Sequence, residues 1–78
     1  MSSANYCYLI VDPKKKIITK GAILASSSKK YAIVGDIDDL RAEHDTSKLK
    51  VLRTRRYDFK VDDLGSADEF YKKESQWV

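Results

Sequence analysis

The sequence predicts a single small α+β domain spanning residues 1–78. It should be a three- to four-stranded, mostly antiparallel sheet with two helices packed on one face, in the order β-β-β-α-β-α. Short runs of β-branched and aromatic residues bounded by turn signals predict the strands. Apolar residues at helical spacing after Gly35 predict the first helix, and a capping-box match at Ser66 predicts the second. A chain of this length makes one domain and leaves no room for another.

Residues 6–12, from Tyr6 through Cys7, Tyr8, Leu9, Ile10 and Val11 to Asp12, read as the first strand. Asp12-Pro13-Lys14-Lys15 places Asp and Pro at the first two positions of a tight turn, where both are favoured. Residues 17–25 form a second extended run, with a bulge or close backbone approach expected at Gly21. Ser26, Ser27, Ser28, Lys29 and Lys30 read as a polar turn, and residues 31–34 as a third strand that completes a meander. Gly35 ends that pattern.

Asp36 then reads as an N-cap, with Asp38 and Asp39 in a first turn where the helix dipole favours acids. Ile37, Leu40, Arg41 and His44 share one face of this short helix, which ends near Asp45, Thr46 and Ser47. Residues 48–60 are the fourth strand. Leu49, Val51, Arg53, Arg55 and Tyr57 alternate with Lys50, Leu52, Thr54, Arg56 and Asp58 on the other face. Ser66 with Glu69 opens the second helix, which carries Phe70, Tyr71, Glu74 and Trp77. The expected core is Ile10, Val11, Ile18, Ile23, Leu24, Ile33, Leu40, Val51, Phe70 and Trp77.

So small a core rarely supplies more than about 3–5 kcal/mol. Cys7 is the single cysteine and His44 the single histidine, which predicts neither an internal disulfide nor a thiolate–imidazole metal site. Oligomerisation, as in a homodimer, or docking on a larger protein is the expected extra stabiliser. The apolar stretches at residues 6–11 and 22–25 are far below membrane-spanning length. No basic-then-apolar-then-small pattern precedes the first strand, so no secretory signal is expected. With the lone cysteine this predicts a cytoplasmic protein that engages no membrane.

Charge is arranged in blocks: net +5 over residues 1–35, −4 over 36–47, +5 over 48–60 and −3 over 61–78. A local field of this kind, rather than the overall charge of +3, selects a partner. The helix N-termini account for much of the acid, and Lys14, Lys15, Lys16, Lys29 and Lys30 read as solvated turn lysines. The fourth strand has no such local explanation. Lys48, Lys50, Arg53, Arg55, Arg56 and Lys60 are interleaved with Tyr57 and Phe59, as cations for a phosphate backbone and rings for unpaired bases would be. The expected nucleic-acid-binding set is therefore Lys48, Lys50, Arg53, Arg55, Arg56, Tyr57 and Lys60. The competing explanation is a charged edge strand that resists aggregation.

The catalytic inventory is thin, and neither a cofactor nor a metal is expected. His44 has no nucleophile within sequence reach, Ser26, Ser27 and Ser28 lack a nucleophile elbow, and Cys7 reads as a buried small hydrophobe. In element order and in a strand-end acid, Asp12, the chain resembles the first part of the ribonuclease-H-like fold. That resemblance implies a metal-binding acid set in which Asp39 or Glu43 and Asp58 join Asp12 for two-metal phosphoryl chemistry. Asp58-Phe59-Lys60 is likewise similar to the Asp-x-Lys piece of restriction-type nucleases. Simple roles compete with this, Asp12 as a turn residue and Asp39 as a complement to the helix dipole.

The leading expectation is a small noncatalytic protein that binds nucleic acid through residues 48–60. Second is a protein-interaction or inhibitor module docking on a larger protein, such as a nucleic-acid-processing one. It would use a charged block or the sheet face carrying Tyr6, Tyr8 and Ile10, if the helices leave that face open. A metal-dependent nuclease is a distant third.

Overall fold

Two strand hairpins, each followed by a helix, make up the chain. The computed structural model describes residues 6–16, 19, 21–55 and 60–75. In order they form β1 (Tyr6–Val11), β2 (Ile23–Ser27), α1 (Lys30–Leu40), a 3₁₀ turn at Thr46–Lys48, β3 (Lys50–Arg55), β4 (Val61–Ser66) and α2 (Ala67–Ser75). The sheet order is β2-β1-β3-β4, and every neighbouring pair is antiparallel. α1 lies over β1 and β2, α2 over β3 and β4, and the helices touch one another. The α+β architecture with both helices on one face is therefore as predicted.

The element order differs: it is β-β-α-β-β-α, a ββα unit used twice. Residues 31–34, expected as a strand, are the first turns of α1. Ile33 and Ile37, four apart, are fully buried, with Val34 and Leu40 partly buried beside them. Burying one such side chain is worth about 1.5–3 kcal/mol, whereas a glycine inside a helix costs about 1. Two buried isoleucines thus carry the helix straight through Gly35. The ribonuclease-H-like resemblance loses the element order on which it rested.

The unpredicted strand is β4, whose sequence Val-Asp-Asp-Leu-Gly-Ser has little intrinsic strand preference. It pairs with β3 along its length, and two ion pairs, Arg53–Asp62 and Lys50–Asp63, cross between the strands. Opposite Val51, β4 carries one extra residue at Leu64 and Gly65. Gly65 holds φ +95°, a left-handed conformation that glycine adopts without strain, and the bulge turns the chain into α2. Ser66 accepts from the Glu69 backbone N–H at 3.1 Å, so the predicted cap is in place. The expected irregularity in the second strand is also present, at Leu24 between the Ala25 and Ile23 pairings rather than at Gly21.

Tyr8, Ile10, Ile33, Ile37, Leu49, Val51, Ala67 and Phe70 form the main core. Val11 is also buried, whereas Ile23, expected inside, is 42% exposed. Ile18 and Trp77 lie outside the described residues. Because Tyr8 and Ile10 face the helices, the open face of the sheet belongs to the alternate residues Cys7, Leu9, Leu52, Thr54 and Val61. The face carrying Tyr6, Tyr8 and Ile10 is thus the covered one. No helix among the described residues is long and apolar enough to cross a membrane.

Gly35 is exposed, and a β-carbon added there meets nothing within 4 Å. Gly35→Ala is expected to stabilise the domain by about 0.5–1 kcal/mol, read as a higher urea midpoint at unchanged slope. A lower midpoint would contradict a helix that is regular at this position.

Candidate nucleic-acid interface

Strand register decides which of the basic residues can act together. β1 and β3 pair Tyr6 with Arg55, Tyr8 with Arg53 and Ile10 with Val51, so Arg53 and Arg55 lie on the helix-covered face. Arg53 lies beside the core residue Tyr8, and Arg55 at the next position on that face, toward the Tyr6 end of the sheet. Lys50 lies on the open face, its Nζ donating to Asp63 at 2.7 Å. Lys48 is in the 3₁₀ turn at the far end of β3, and Lys60 is exposed just before β4. Arg56 and Tyr57 fall outside the described residues, as do Asp58 and Phe59. The predicted basic strand therefore divides its cations between two faces and two ends.

At the Arg53 end the side chains form a layered cluster. Asp62 Oδ2 accepts from both Nε and Nη2 of Arg53, at 3.0 and 2.9 Å, and lies 3.5 Å from Nε of Arg55. The Arg53 guanidinium is 5.0 Å from the Tyr6 ring centroid, and that of Arg55 is 5.7 Å from it. Hydrogen bonding from Arg53 holds the Asp62 carboxyl below its ordinary value, and the same contact holds Arg53 more firmly protonated. Lys50 does the same for Asp63. These cross-strand pairs join β4 to β3.

The start of α1 adds three further residues to this end. Ser27 Oγ accepts from the Lys29 backbone N–H at 3.0 Å, a side-chain turn that launches the helix at Lys30. Lys29 Nζ sits 5.7 Å from the Tyr31 ring centroid, and Tyr31 is 72% exposed. From α2, Phe70 packs against Tyr8 at 6.4 Å between ring centroids, and Glu74 reaches to 3.7 Å from Lys30 Nζ.

Two adjoining depressions result, sharing Tyr8 and Lys30. One, of about 320 Å³, is lined by Tyr8, Lys30, Arg53, Asp63, Leu64, Phe70, Lys73 and Glu74. The other, of about 380 Å³, is lined by Tyr6, Tyr8, Ser28, Lys29, Lys30 and Tyr31. Of the described residues expected to bind nucleic acid, Arg53 alone lines either depression. Tyr6, Lys29, Lys30, Tyr31 and Lys73 join it from other elements. Lys14, Lys15 and Lys16 follow β1 and so lie at the opposite end of the sheet.

The helices differ in how their charges meet their dipoles. α2 follows the favourable rule, with Asp68 and Glu69 in its first turn and Lys72 and Lys73 in its last. α1 does the reverse. It has no acid in its first turn and no base in its last, begins with Lys29 and Lys30, and carries Asp36, Asp38 and Asp39 in its second half. Asp36 is not an N-cap, and the acids of this block oppose the dipole instead of complementing it.

Among the described residues no three His, Cys, Asp or Glu side chains come together as a metal-ligand group. Asp12 accepts from the Lys14 backbone N–H at 3.0 Å, the turn role expected of it. Cys7 is half-buried on the open sheet face. Comparison with protein-family models, with curated protein sequences and with solved structures finds no match to this chain.

Proposed function

We propose that this chain is a small noncatalytic protein of the cytoplasm that binds nucleic acid. Its contact surface is the end of the fold where α1 begins, not the length of the basic strand. The observation that carries this reading is the meeting of Lys29, Lys30, Arg53 and Lys73 with Tyr6, Tyr8 and Tyr31 around two adjoining depressions. Lys29 and Lys30 stand against the α1 dipole, an arrangement that costs about 0.3–1 kcal/mol per charge and is only partly offset by the Lys30–Glu74 pair and the Lys29–Tyr31 contact. It does concentrate positive potential where a phosphate would approach.

Salt dependence tests the reading. If three or four phosphates are neutralised, affinity for an unpaired oligonucleotide should fall about 20- to 50-fold between roughly 50 and 200 mM salt. Absence of binding at the lowest salt rules it out.

A second reading, a module that docks on a larger protein, draws on the open sheet face, where Ile23 is 42% and Val61 59% exposed. A pull-down with and without nuclease treatment separates the two. A nucleic-acid-mediated complex disappears on digestion, and a direct protein contact persists.

A further inference from the structure

Resting on the nucleic-acid reading, we propose that the bound strand is unpaired and that Tyr6 and Tyr31 receive its bases. Both rings line the depression of about 380 Å³, and both are exposed, at 36% and 72%. Tyr31 is the second residue of α1 and leaves its ring outside the core that Ile33 and Ile37 form from the same helix. An aromatic ring held in water at the mouth of a cationic depression makes little contribution to this fold. It is well placed for stacking.

The cations next to the rings specify the ligand further. Tyr6 has the guanidinium groups of Arg53 and Arg55 within 6 Å of its centroid, and Tyr31 has the ammonium of Lys29 at 5.7 Å. Lys29 can take a phosphate of the strand whose base meets Tyr31, whereas beside Tyr6 the guanidinium groups are shared with Asp62. An unpaired nucleotide offers a flat π-face and a phosphate together, whereas a duplex hides its base faces and offers phosphates and groove edges. The receiving surface is also concave. A major groove is read by a protruding helix or β-ribbon, and this end of the molecule offers instead a shallow, open depression.

The test uses the whole chain with labelled oligonucleotides of about 12 nucleotides, DNA and RNA, each unpaired and as the matching duplex, followed by fluorescence anisotropy. Wild type is expected to prefer the unpaired strand. Tyr6→Ala and Tyr31→Ala should each weaken it about 5- to 150-fold with an unchanged salt slope. Tyr31→Phe, which keeps the ring, should retain binding. Lys30→Ala should instead reduce the slope by about 0.7.

Equal or tighter duplex binding, or full affinity in both alanine variants while Lys30→Ala still weakens binding, overturns the stacking inference and leaves the nucleic-acid reading standing. Binding to none of the four oligonucleotides overturns the reading itself. Tyr31 is mostly exposed, so an unchanged circular-dichroism spectrum of Tyr31→Ala assigns its loss of affinity to the missing ring.

Discussion

Phe70→Ala is expected to destabilise the domain by about 3–5 kcal/mol, enough to remove much or all of its cooperative folding. So small a core rarely supplies more than about 3–5 kcal/mol in total. Phe70 is 4% exposed and is the largest buried side chain that α2 contributes to the core. It meets Tyr8 of β1 across the covered face, so its loss leaves a void between α2 and the centre of the sheet. The void would lie between the apolar core and a rim that carries Lys30, Arg53 and Leu64, and close packing leaves the core little freedom to fill it. Denaturant unfolding checks the expectation. Phe70→Leu should retain a cooperative transition, and a loss below about 1 kcal/mol in the alanine variant would mean that α2 is not anchored through this residue.

The same balance of magnitudes explains which elements were legible in the sequence. β1 is rich in β-branched and aromatic residues, β3 shows an alternation of its side chains, and α2 announces itself through Ser66 and Glu69. For α1, local signals pointed the wrong way. Tyr31, Ile33 and Val34 favour a strand and Gly35 punctuates, yet the spacing of Ile33, Ile37 and Leu40 was available and burial follows that spacing. β4 has no local strand signal at all. Its cue was the complementarity of two charge blocks, since Asp62 and Asp63 answer Arg53 and Lys50 across the hairpin.

The candidate site was legible in composition and not in place. Alternation along residues 48–60 correctly separates Arg53 and Arg55 from Lys50, but it does not say which face the helices cover. Nor does it bring in Lys29, Lys30 and Tyr31, because a turn between strands and the start of a helix project these side chains differently. Once α1 begins at Lys30, two interpretations exchange places. The lysines at residues 29 and 30 lose their explanation as ordinary turn residues, and the acids at residues 36–39 lose theirs as dipole complements. At the C-terminal end Arg41 caps the helix and answers Asp38. At the start Lys29 and Lys30 stand against the dipole with Glu74 as a partial partner to Lys30, which directs attention to an external field acting on a partner.

Reversing two cations of the site should therefore cost far more than their place in the fold accounts for. Lys30→Glu together with Lys73→Glu is expected to lower affinity for an unpaired oligonucleotide at least about 100-fold near 0.1 M salt. Two phosphate contacts are lost and two repulsions added. Lys30 is half-exposed, and its contact with Glu74 at 3.7 Å is a surface pair worth at most about 1 kcal/mol, so the fold should survive the change. Asp62→Asn provides the opposite displacement. It removes the carboxylate that accepts both hydrogen bonds from Arg53 and returns a net positive charge to the end of β3. Affinity should rise several-fold and the salt slope steepen by up to about 0.7. Titrations of both variants, with circular dichroism as the control for folding, check the pair. A general folding defect lowers affinity in either variant, so displacement in opposite directions isolates the charge at this end of the fold. Unchanged affinity in both would remove it as the binding surface.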